Sequence, residues 1–214
     1  MQTKKYAVNQ YLIASILTKV RENEIAIPEI QRPFVWDASQ VRDLLDSLYQ
    51  GYPIGYLIAW RNLDVQLKDG SMAAGKMILI DGQQRVTALT AAIIGQQVIN
   101  KEYRKVRISI AFNPMEERFE VPNAAITNNA AWISDVGPIV TGKTLLTKAV
   151  REYMEANPIA DEVKLERSLA NLIAIANKQI GLIELAHDLV GDIHHIFPRD
   201  LLKRAGLPRS QYNQ

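Results

Sequence analysis

The run Met77-Ile78-Leu79-Ile80-Asp81-Gly82-Gln83-Gln84-Arg85 constrains the fold more than any other feature of this chain. Its apolar first half, bounded by turn residues, reads as a strand. Val86 to Ile94, closed by Gly95, reads as the helix behind it. The chain must therefore pass from strand to helix at Asp81-Gly82, a tight turn that glycine permits. Such a turn aims the first backbone N–H groups of the helix at the end of the strand, where an anion such as phosphate is favoured. Arg85 can add a bidentate phosphate contact. The plainer alternative is an ordinary helix start, capped by Asp81, with Arg85 in solvent.

The rest of the chain supplies partners for this unit. Asn9 to Arg21 places Leu12, Ile13, Ile16, Leu17 and Val20 at helical spacing and predicts a helix packed on a sheet. Ile25-Ala26-Ile27 reads as a short strand stopped by Pro28, and Pro28 and Pro33 keep the run to Trp36 extended. Asp37 is a natural N-cap for a helix over Ala38 to Tyr49, buried through Val41, Leu44, Leu45 and Leu48 and ended by Gly51. Ile54 to Trp60 reads as a strand, joined to the next by a polar, hairpin-like stretch. Val106 to Phe112 predicts a further strand, with Asn113-Pro114 as turn and Arg118 to Val121 as its partner. Thr144 to Ala156 and Asp161 to Asn177 read as amphipathic helices broken at Asn157-Pro158.

Charge and composition narrow the function classes. With 25 basic and 23 acidic residues the net charge is +2, so any nucleic-acid contact must come from a local patch. Lys101, Arg104, Lys105 and Arg107 form the densest basic cluster; Lys203, Arg204 and Arg209 form another, and a solvated face is the ordinary meaning of either. Cysteine is absent, which excludes disulfides and cysteine-ligated zinc and fits a reducing compartment. No apolar stretch approaches a membrane span and the N-terminus lacks a secretory core, so the expectation is a cytoplasmic protein with no membrane partner.

Ile30-Gln31-Arg32-Pro33-Phe34-Val35-Trp36 surrounds one arginine with proline and aromatic residues, a rigid loop suited to holding a guanidinium for phosphate or base-edge recognition. Phe34 and Trp36 plugging the core, with Arg32 in a structural ion pair, is the alternative. Taken in order, Ile27 to Trp36, Leu44 to Gly55 and Asp81 to Leu89 resemble the N-terminal domain of GmrSD-type restriction proteins. Phe112-Asn113-Pro114 and Trp132 to Val136 extend the resemblance to about residue 190.

The resemblance implies an α+β chain: a ParB/sulfiredoxin-like nucleotide-handling domain over residues 1–125, a mainly helical extension over 126–189, and an incomplete HNH (ββα) fragment over 190–214. It implies binding, and hydrolysis, of a nucleoside triphosphate with Mg2+. Gly82, Gln83, Gln84 and Arg85 would line the phosphates, Gln31 and Arg32 would face them, and Asp81 and Arg85 would be catalytic. It also implies action on foreign, often modified, DNA. The sequence itself leaves open a separate nuclease subunit and self-association as further partners.

Gly191-Asp192-Ile193-His194-His195-Ile196-Phe197-Pro198-Arg199-Asp200 resembles the first half of the family's HNH nuclease. By that resemblance His195 is the general base, and His194 and Asp192 contribute to a metal site. The asparagine-containing helix that completes such a site does not follow in this sequence, so nuclease activity by this chain alone is not expected. Two other functions compete: a non-enzymatic DNA- or partner-binding remnant, and a P-loop NTPase using Gly137-Pro138-Ile139-Val140-Thr141-Gly142-Lys143-Thr144. The segment Trp132 to Val136 ahead of that motif is a poor strand for a P-loop.

Overall fold

The computed structural model describes residues 6–27, 33–61 and 76–185, and they form a mixed α+β structure. In chain order the strands are β1 (Tyr6–Leu12), β2 (Ile25–Ala26), β3 (Tyr56–Arg61), β4 (Met77–Asp81), β5 (Val98–Ile99), β6 (Lys105–Val106), β7 (Ala111–Asn113), β8 (Arg118–Glu120) and β9 (Gln179–Leu185). The helices are α1 (Ile13–Arg21), α2 (Ala38–Gln50), α3 (Gln83–Leu89), α4 (Ala124–Thr127), α5 (Gly137–Val140), α6 (Leu146–Ala156) and α7 (Glu162–Ala174).

One five-stranded sheet, in the order β1-β9-β3-β4-β2, carries the architecture. β9 runs antiparallel to β1 and parallel to β3, β3 and β4 are antiparallel, and β4 runs parallel to β2. Leu57 and Ala59 alternate onto one face of β3, beside Leu182 of β9 and Leu79 of β4, and all four are fully buried. That face belongs to the same core as Ile13, Ile16 and Leu17 of α1, Val41, Leu45 and Leu48 of α2, Val86 and Leu89 of α3, and Leu165, Leu169 and Leu172 of α7. The predicted stripe of α2 is therefore buried as its spacing requires. Tyr49 extends that stripe into an aromatic cluster, with ring centroids 5.3 Å from Phe112 and 5.6 Å from Phe119. Burial pushes the Tyr49 phenol up from its ordinary value, and its hydroxyl donates to Glu117 at 2.9 Å.

Asp37 caps α2 in a capping box: its carboxylate accepts from Gln40 N, and the Gln40 side chain accepts from Asp37 N. The Ser39 hydroxyl and the Gln40 N–H hold this carboxyl below its usual range. A depressed folded value means the stabilisation is present above the unfolded carboxylate value of about 3.9 and is lost as pH falls through the folded one. Asp37→Ala is therefore expected to lower the melting temperature at neutral pH, with the gap to the parent closing below about pH 4, as thermal melts across pH would show.

Three expectations need correction. The helix predicted over Asn9 to Arg21 begins only at Ile13, because Tyr6–Leu12 pairs along its whole length with β9 and leaves Leu12 extended (φ −69°, ψ 145°). The single strand predicted over Val106 to Phe112 is divided: Lys105–Val106 pairs with β5, whereas Ala111–Asn113 pairs with β8. The helix after β4 begins at Gln83 and finishes as a π-helical turn over Thr90–Ile94, where the buried Thr90 hydroxyl donates to the Val86 carbonyl at 2.8 Å. Gln31, Arg32, Asp192, His194, His195, Lys203, Arg204 and Arg209 lie outside the described residues.

Candidate phosphate site at the β4–α3 junction

Asp81 ends β4 and Gly82 turns the chain into α3 with φ +86°, in the left-handed region. The space there also demands glycine. A Cβ on Gly82 would lie 2.3 Å from Leu57 Cδ2 and 3.2 Å from Arg85 Nη2, on a residue already buried. Gly82, which has no side chain, is the N-cap of α3, so Asp81 is not the cap that the plainer reading expects.

Asp81 pairs with Arg85 instead, one helical turn on, at 3.2 Å. Arg85 makes further bonds across the junction: Nη1 donates to the Ile54 carbonyl and Nη2 to the Tyr56 carbonyl at 2.9 Å. Gly55 between those carbonyls has φ +82°, and a Cβ on it would meet Nη1 at 2.7 Å. The guanidinium is thus a staple, fixing the bend that leads into β3 against the start of α3. Its side chain is 19% exposed, whereas that of Asp81 is 61% exposed. The arginine is mostly buried and already bonded to the backbone; the carboxylate is the more accessible group.

The two glutamines of the motif face in different directions. Gln83 Nε2 donates to the Leu79 carbonyl at 2.7 Å and ties the helix start to β4. The Gln84 amide reaches the extended segment before α2, accepting from Val35 N at 3.0 Å and donating to the Pro33 carbonyl at 3.4 Å. The motif is therefore linked to the backbone directly after Gln31-Arg32. Phe34 in the same segment is buried in the core, as one alternative for this run anticipated, and Trp36 packs against it. The partners of Arg85 on Ile54 and Tyr56 were not legible in the sequence; Gly55 was the signal available there.

Among the described residues, no group of three or more His, Cys, Asp or Glu side chains gathers to hold a metal ion. A magnesium ion accompanying nucleotide phosphates takes only one or two protein carboxylates, and among the described residues the junction offers the exposed Asp81.

The P-loop alternative fails on geometry. Gly137–Val140 is the short helix α5, and Val140 N and Thr141 N donate to the Val136 and Gly137 carbonyls at 3.0 Å each. Gly142 N and Thr144 N are likewise bonded within the segment, at 3.0 and 2.9 Å. The N–H groups that would cradle phosphate are spent on the segment's own turns. Gly137 also packs against the neighbouring helix, where a Cβ would meet the Ala92 and Ile93 carbonyls at 2.9 Å. Lys143→Ala, at an exposed position, is expected to change stability by less than about 0.5 kcal/mol in denaturant titration and to leave nucleotide binding unaltered.

Comparison with known proteins agrees with the family resemblance. Residues 13–199 match the family model described as the GmrSD restriction endonuclease, N-terminal domain. An uncharacterized protein of Methanocaldococcus jannaschii is 28% identical over 95 residues, covering 38% of this chain and 16% of that protein. The chain thus matches about a sixth of the length of this curated relative.

Proposed function

The chain belongs to the GmrSD restriction endonuclease N-terminal domain family, and from that premise we propose that it is a nucleotide-binding regulatory domain of a DNA-defence nuclease. Nucleoside triphosphate binds at the β4–α3 junction and is slowly hydrolysed there. The observation that carries this reading is the junction itself: a buried glycine that both turns the chain and forms the helix N-cap, next to a fixed guanidinium and an exposed carboxylate. Helix starts of this kind favour phosphate. In this reading Arg85 holds the turn in shape and supplies positive charge, Asp81 takes the Mg2+ that accompanies the phosphates, and Gln31 and Arg32 bind the phosphates too; Pro33 and Val35, which follow them in the chain, are gripped by Gln84. A ParB/sulfiredoxin-like ancestry of the sheet, DNA as the eventual target, and HNH roles for Asp192, His194 and His195 belong to the same proposal. No helix among the described residues is long and apolar enough to cross a membrane.

Asp81→Asn tests the reading cleanly, because it leaves the carbonyl bonds of Arg85 in place. Hydrolysis of ATP and GTP by the full chain is expected to fall by about tenfold or more, with the melting temperature unchanged. Turnover equal to that of the parent would remove Asp81 from the chemistry. A second reading, a binding module without turnover, has one observation in its favour: the guanidinium already serves two backbone carbonyls and a carboxylate. It predicts nucleotide-independent DNA binding and no hydrolysis by the parent chain.

A further inference from the structure

We propose that the β5–β6 hairpin is a DNA-contacting finger, with Lys101, Arg104 and Lys105 meeting backbone phosphates of a duplex and Tyr103 as the contact at its tip. The choice of DNA rests on the restriction-domain reading above; the location rests on the hairpin. Residues 100–104 form its tip, and all side chains from Lys101 to Lys105 are exposed. Arg104 and Lys105 have no acidic partner within ion-pair distance among the described residues, and Lys101 has only Glu102 beside it, at 3.8 Å. Arg107, grouped with them by sequence, is different: it is neutralised by Asp135 at 2.7 Å and stands outside the finger.

The tip is ordered. Asn100 Oδ1 accepts from Glu102 N at 3.1 Å and from Arg104 N at 2.9 Å, and Asn100 N donates to the Arg104 carbonyl at 3.0 Å. This closure holds Tyr103 at φ +58° with 79% of its surface exposed. A large aromatic residue in the left-handed region, projecting into solvent, is disfavoured twice over as a purely structural choice. The base of the finger is anchored as well. Phe34 N donates to the Ile99 carbonyl at 2.9 Å, and Phe34 stands between Pro33 and Val35, the two residues held by Gln84. The finger therefore has a fixed place relative to the β4–α3 junction, and little ordering remains to oppose binding.

The test is binding of a labelled DNA duplex to the full chain between about 50 and 200 mM salt, since each phosphate contact adds roughly one unit to the salt slope. Neutralising Lys101, Arg104 and Lys105 together to alanine is expected to weaken binding about tenfold or more and to flatten the slope by roughly three units. The same charge change at Lys148, Arg151 and Arg167, exposed on α6 and α7, is the control and is expected to matter far less. Tyr103→Gly separates contact from structure: glycine suits the backbone there, so stability holds or rises while DNA affinity falls. Equal losses in both triple variants, parent-like binding by the finger variants, or no DNA binding by the parent chain would each overturn the proposal. Nucleotide binding measured on the same proteins keeps the two readings apart. Finger-dependent DNA binding without nucleotide binding defeats only the nucleotide reading; nucleotide binding without finger-dependent DNA binding defeats only the finger.

Discussion

Gly82→Ala is expected to destabilise the chain by roughly 2 to 5 kcal/mol and to lower the melting temperature by about 5 to 15 °C. Two costs add at this position. A non-glycine residue at φ +86° loses about 1 to 2 kcal/mol to backbone strain. The new methyl would also lie 2.3 Å from Leu57 Cδ2, and Leu57 is fully buried in the sheet core, so relief requires repacking worth about 1 to 3 kcal/mol. Gly142→Ala separates the two costs. Gly142 has φ +73° but nothing within 4 Å of its would-be Cβ, so only the backbone strain applies. A Gly82→Ala variant no less stable than Gly142→Ala, by thermal and denaturant unfolding, would show that the junction is not packed as described.

Arg85→Ala is expected to cost about 1.5 to 3 kcal/mol, because two backbone carbonyls lose a charged donor. The figure stays at the scale of a single charged hydrogen bond, since the site is partly open and water can replace some of what is lost. Nucleotide affinity is expected to fall with it by about tenfold or more, through loss of both the positive charge and the shape of the turn. Arg85→Lys distinguishes these contributions. An ammonium can satisfy one carbonyl while keeping the charge, so it should recover part of the stability and part of the affinity. Chemical denaturation beside equilibrium nucleotide binding on both variants measures the split. A stable Arg85→Ala chain would contradict the staple.

What the sequence made legible was local. Asp37 followed by a stripe at Val41, Leu44, Leu45 and Leu48 specified α2 with its cap and its buried face, because both signals lie within a few turns of one helix. The β4-Gly82-α3 turn was legible for the same reason. The sheet's order was not. β9 returns from the end of the helical region to lie between β1 and β3, and the assignment of Tyr6–Leu12 as strand depends wholly on that partner. Nothing within the window around Asn9 contains that information, so a helical periodicity read there ran four residues too far toward the N-terminus, from Asn9 to Leu12. The site was split in the same way. Sequence reasoning placed Arg85 at the junction, but its bonds to Ile54 and Tyr56 exist only once β3 and β4 are side by side, and they make the residue a staple of the fold. The Walker-like pattern matched by spacing alone, and its own backbone bonds remove it.

Nucleotide is expected to bind where β4 meets α3. Amide NMR of the isotopically labelled full chain, titrated with ATP or GTP and Mg2+, addresses it directly, because every residue of the junction reports separately. Progressive shifts are expected, centred on Gly55, Gly82, Gln83, Gln84 and Arg85, with Gly137 to Thr144 unmoved. Shifts confined to residues 137–144, or no shifts at saturating nucleotide, would contradict it.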